Sequence, residues 1–198
     1  MSRQAADPNV TPLRARLAAP VEALSPTARR ALGVGAFALL TALGARVAVP
    51  LPGTPVPFTF QVMAVLLAGW LLGPRLAAGS QLAYLAAGAA GLPVFAAGGG
   101  LAYLLGPTGG YLLAYPAAAA VVGLAASRDA GWLRQAAGLI GGVAVIHAGG
   151  AAWLAVVAGH EAAVGAGVLP FLGVDGVKAV IVLLLGRRIG ERARAFFR

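Results

Sequence analysis

Apolar and polar positions in this chain do not alternate; they separate into blocks. Residues 1–28 are polar, broken by Pro, and carry Arg3, Arg14 and Arg16. After the Arg29-Arg30 pair come six apolar runs, at about 31–49, 59–73, 76–92, 111–126, 135–158 and 171–186. Gly and Pro mark the joints: Pro50 to Pro57, Gly73-Pro74, Gly91 to Pro93, Gly106-Pro107 and Pro170. Apolar runs close to the roughly 17–25 residues that cross a bilayer predict an all-α membrane protein with six transmembrane helices. The organisation expected is a mobile polar tail over 1–28, a membrane domain over 29–190 and a short basic tail over 191–198. A basic start before an apolar run also resembles a signal peptide, but this run is long and further apolar segments follow it directly.

Composition sharpens that picture. Apolar residues make up 60% of the 198 positions and charged residues only 11%, against about 45–50% and 25% in soluble domains. So few charges cannot cover a globule of this size, and so much hydrophobicity excludes disorder. The net charge of +9 would suit a nucleic-acid binder if Lys and Arg were clustered on one face. Instead, fourteen of the fifteen basic residues are Arg, and most stand at chain ends or between apolar runs. With both termini in the cytoplasm, thirteen of the fifteen fall on the inside, in accord with the positive-inside rule. The +9 balance is therefore a topology signal, and nucleic acid is not the expected partner.

Enzyme chemistry finds little support. There is no Cys, which excludes thiolate sites and disulfides. His147 and His160 are too few for a multi-His metal site, so no metal or cofactor is expected. No Ser-His-Asp set, HExxH, paired carboxylate or Walker loop is present, so active transport would need another source of energy.

The two basic residues left over lie inside apolar runs: Arg46 and Lys178. Asp175 precedes Lys178 by three positions, which puts both on one helix face. At about 1.5 Å per residue, Lys178 lies on the order of 10 Å in from the outer end. Either charge costs on the order of 2.5–3.5 kcal/mol at a helix centre. The pair is expected to neutralise itself or to face a polar cavity, where Lys178 would receive an anionic group. Arg46 is close enough to the outer end to snorkel, or to add positive potential to an outer cavity. The prolines of 51–61 predict a rigid extended loop ending in Thr59 and Gln61. The Gly-rich stretch 91–111, with Phe95, Tyr103 and Tyr111, suits an apolar lid. Gly35, Ala38, Ala42 and Ala45 line one face of the first helix and allow close helix approach. Tyr84 is either an interfacial anchor or a ligand contact.

Five segments resemble the BioY family, the biotin-specific S components of energy-coupling factor (ECF) transporters. They are Thr54-Pro-Val-Pro-Phe-Thr-Phe-Gln61, Leu66-Leu-Ala-Gly-Trp-Leu-Leu-Gly-Pro74, Tyr84-Leu-Ala-Ala-Gly-Ala-Ala-Gly-Leu-Pro-Val-Phe95, Leu105-Gly-Pro-Thr-Gly-Gly-Tyr111 and Leu169-Pro-Phe-Leu-Gly-Val-Asp-Gly-Val-Lys178. Together, in order and at this spacing, they are specific. The resemblance implies the six-helix S-component fold in a prokaryotic cytoplasmic membrane, both termini inside, and a biotin cavity near the outer face. Lys178 would face the biotin carboxylate, and Asp175 would hold Lys178 or a polar group of the ligand. Tyr84, Thr59 and Gln61 match motif positions. A membrane scaffold subunit and a pair of cytoplasmic ATPases are implied as partners, with the small-residue face of the first helix toward the scaffold. Some relatives act without a dedicated ATPase module, and an S component for another anionic vitamin is the alternative. Gly53 departs from the bulkier apolar residue common in the family, and the N-terminal tail is longer than usual.

Overall fold

The structure, a computed structural model, describes residues 24–126 and 130–197. Expectations for the tail 1–23, and for Arg128 and Arg198, lie outside the described residues. Six long helices form the bundle: α1 (Pro26–Arg46), α2 (Gln61–Leu72), α3 (Pro74–Ala89), α4 (Gly109–Ala125), α5 (Trp132–Ala158) and α6 (Leu169–Phe197). Two short helical turns, Leu101–Leu104 and His160–Gly165, lie in the connections. Among the described residues, α1 and α5 are long and apolar enough to cross a membrane, as is the helical stretch ending in α6.

Local chemistry sets the ends. Ser25 caps α1 by accepting from the Ala28 N–H, and Pro26 takes the first helical position, where its missing N–H costs nothing. The first helix therefore begins five residues earlier than its apolar run and stops at Arg46. Ala48–Val49 (β1) instead pairs antiparallel with Phe58–Thr59 (β2), Ala48 opposite Thr59 and Val49 opposite Phe58. The proline-rich loop is the connection of this small hairpin. Gly73 at φ +79 lets α3 follow α2 after one residue.

The largest departure is at the C-terminus. The polar stretch 191–198 is expected as a tail, yet α6 stays helical to Phe197. Its last turns pack into the bundle: Arg194 is buried against Trp70, Phe197 meets Gly33, and Arg29 lies 5.2 Å over the Phe196 ring. Helix α5 approaches α4 closely because glycines face it, with Gly149 against Ala114 and Gly150 against the Tyr111 ring. The core is apolar and continuous, built around Leu66, Trp70, Val122, Leu139, Ile146 and Val182. Large apolar side chains also cover the outside, among them Leu39, Ile140, Val177 and Leu184, as a lipid-facing surface requires.

Candidate functional site

Helix α6 places Asp175 and Lys178 one turn apart, 3% and 4% exposed. The Lys178 Nζ donates to Asp175 Oδ1 at 2.6 Å and to the Thr59 carbonyl at 2.7 Å. It also lies 4.3 Å from the centre of the Phe58 ring. The hairpin thus covers the ammonium with a backbone oxygen and an aromatic face. The second carboxylate oxygen of Asp175 accepts from His147 Nε2 of α5 at 3.0 Å. One polar chain therefore links the hairpin, α6 and α5.

Neighbouring groups hold this chain in place. Tyr111 of α4 meets the His147 ring edge-on at 6.4 Å and donates its hydroxyl to the Gly167 carbonyl at 2.7 Å. Gln61, the first residue of α2, accepts from the Thr59 hydroxyl at 3.2 Å and donates to the Tyr84 hydroxyl. Tyr84 in turn donates to the Val94 carbonyl at 3.4 Å.

A cavity of about 40 Å³ opens between these residues, lined by Thr59, Gln61, Tyr111, His147, Asp175 and Lys178. Val56, Leu112, Ile146 and Phe171 supply apolar wall. At the ~10–15 Å³ that one water requires, it has room for about three. On the loop side lies a second cavity of about 440 Å³, bordered by the hairpin and by the connection after α3. Pro57, Ala96, Tyr103 and Thr108 border both and form the partition between them. A drug-sized ligand reaching Lys178 must displace that partition.

The structure brings Thr59, Gln61, Tyr111, Asp175 and Lys178 together around one space. Tyr84 stands behind that wall and steadies Gln61. Phe95 is fully buried between Tyr84 and Tyr103, at 5.4 and 5.0 Å between ring centres, so it supports the loop and does not line the cavity. Arg46 is exposed at the end of α1 and does not line the cavity either. The small residues of α1 run along its shoulder: Gly35 is exposed, Ala38 and Ala42 half-buried, and Ala45 fully buried inside the chain. His147, Phe58 and Tyr115 belong to the site but were not marked by sequence reasoning. For His147 the signal was available, since an ionisable residue within an apolar run is a functional candidate by default.

The sequence pattern of the BioY family matches residues 15–195. A probable biotin transporter BioY from Pyrococcus horikoshii is 43% identical over 157 residues, 79% of this chain and 93% of that protein. The biotin transporter BioY of Thermotoga maritima is 36% identical over 163 residues, 81% of this chain and 95% of that protein. A crystal structure of the S-component for biotin from an ECF-type ABC transporter superposes with a TM-score of 0.74 at 26% identity, covering 89% of this chain and all of the other.

Proposed function

The chain belongs to the BioY family, and from that premise we propose that it captures biotin and carries it across the membrane as the substrate-binding subunit of an ECF transporter. It performs no covalent chemistry. The observation that carries the reading is the Lys178 ammonium, buried beside a cavity and held on one side by a loop carbonyl. Biotin has one carboxylate on a short apolar chain and a compact ureido ring. Its carboxylate replaces the Thr59 carbonyl at Lys178, trading a hydrogen bond with one ionised partner for one in which donor and acceptor are both ionised. The hairpin and the partition move aside to admit the ligand and close again over it. Apolar walls from Val56, Leu112, Ile146 and Phe171 take the alkyl chain. Gln61 and Thr59 offer hydrogen bonds to the polar ring or the carboxylate.

All the described arginines but Arg46 lie at the end of the bundle opposite the cavity. Arg30 and Arg75 border a common cleft there, and Arg187 and Arg194 another. The positive-inside rule then sets the cavity toward the outside and both termini toward the cytoplasm of a prokaryotic cell. Energy comes from partner subunits, a membrane scaffold and a pair of cytoplasmic ATPases. Gly35 with the flanks of Ala38 and Ala42 offers the scaffold a close approach, whereas Ala45 is spent on packing within the chain.

Equilibrium binding of labelled biotin to the purified full chain tests the reading. Saturable binding at one site per chain, competed by biotin but not by cationic or neutral vitamins, is the expected result. No saturable biotin binding, or equal competition by an unrelated anionic vitamin, would overturn it.

A further inference from the structure

The charges in the cavity balance only before the anion arrives. Asp175 and Lys178 are both buried and neutralise each other. Arg46, at the same end of the bundle, is exposed and stays out of the cavity. A carboxylate set against Lys178 therefore leaves one uncompensated negative charge among buried groups, which a low-dielectric interior disfavours strongly.

His147 is placed to supply the missing positive charge. Its side chain is buried, 6% exposed, and lines the cavity. Its Nε2 stands 3.0 Å from Asp175 Oδ2, and a carboxylate only accepts, so Nε2 carries the hydrogen. In the neutral ring that leaves Nδ1 a bare acceptor, and Nδ1 is buried with no hydrogen-bond partner. Beside a carboxylate that lone pair is repulsive. One added proton makes it a donor, and the imidazolium then bridges Asp175 and the incoming anion.

We propose that His147 is a ligand-binding residue whose Nδ1 becomes protonated as biotin enters and donates to its carboxylate, so that each captured anion takes up one proton. The inference rests on the cavity being the biotin site. The proton comes from solution and returns to it when biotin leaves; no covalent bond to carbon is made or broken. The ionisable groups facing His147 are Asp175 of α6, with Lys178 beyond it, and the phenols Tyr111 and Tyr115 of α4. Both phenols stay neutral over the range of the test, since even a free phenol ionises only near pH ~10. Asp175 is left as the one competitor for the proton.

Calorimetric titration of the purified full chain with biotin, in two buffers of different ionisation enthalpy between about pH 6 and pH 9, counts the protons directly. Uptake approaching one proton per biotin is expected toward alkaline pH, with Kd rising there by up to about tenfold per pH unit. Biotin amide, which is neutral, should bind with no uptake. His147→Gln keeps a donor for Asp175 but cannot charge, so its biotin binding should be weaker, pH-independent and free of proton uptake. Biotin binding by the wild-type chain without uptake across the range would overturn the proposal. So would equal uptake in His147→Gln, which would place the proton on Asp175. No biotin binding at any pH would overturn the biotin reading and this inference with it.

Discussion

Lys178 and Arg194 are two buried cations on the same helix, about 24 Å apart along α6, and the chain accommodates them differently. Arg194 donates its Nε to the Trp70 carbonyl at 2.8 Å and lies 5.3 Å from the Trp70 ring centre. Both of those contacts come from one residue of the bundle core. Lys178 is shared between a carboxylate on its own helix and a carbonyl from a loop hairpin, and it borders a cavity. Burial alone therefore does not identify a functional charge. A cation whose partners belong to a core residue stabilises the bundle; a cation whose contact a ligand can replace can bind one.

The sharpest way to break this contrast is to remove each cation in turn. Lys178→Met removes the charge partner of the biotin carboxylate, and truncating one partner of a buried charge pair across an interface costs about 2–5 kcal/mol. Biotin Kd should rise at least about a hundredfold by equilibrium binding, with insertion and yield unchanged. Arg194→Met should do the reverse. A hydrogen bond from a charged group is worth about 1.5–3 kcal/mol, so the thermal unfolding midpoint in detergent should fall while biotin Kd stays within about twofold. A smaller effect is expected from Gly150→Ala, whose Cβ would run into the Tyr111 ring. Displacing Tyr111 from the cavity wall should weaken binding about tenfold, a loss of ~1.4 kcal/mol. Tyr111→Phe removes only the hydrogen bond to the Gly167 carbonyl, worth about 0.5–1.5 kcal/mol, and should weaken binding a few-fold. Arg46→Ala, at an exposed position, should leave Kd within about twofold at physiological salt.

Much of this contrast was legible in the sequence, for reasons that also explain what was not. The Asp175–Lys178 spacing put both charges on one face, because helical periodicity and the cost of burial act locally. The prolines of the first outer loop marked an extended segment for the same local reason. In the sequence Arg194 belongs to a polar tail, since its carbonyl partner lies 124 residues away at Trp70 and no local pattern announces it. Phe95 and Tyr84 carry family motif positions, yet they work behind the wall. Their orientation depends on where the connection after α3 folds back, as Phe95 bridges to Gly98. In the sequence His147 reads only as a metal-ligand candidate, because its tie to Asp175 crosses from α5 to α6. Arg46 was a candidate through its position in an apolar run, but α1 ends at that residue and leaves it exposed. The helix ends shifted where capping residues, Ser25 with Pro26 and Gly73, outweighed hydrophobicity.

The claim at the centre is that the Lys178 ammonium is the receptor for an anionic group of the ligand. It is tested most directly by the ratio of affinities for biotin and for biotin amide, measured on the purified wild-type chain and on Lys178→Met. If Lys178 receives the carboxylate, the wild-type chain prefers biotin by about a hundredfold or more, and Lys178→Met loses most of that preference. A preference for biotin that survives unchanged in Lys178→Met would contradict it.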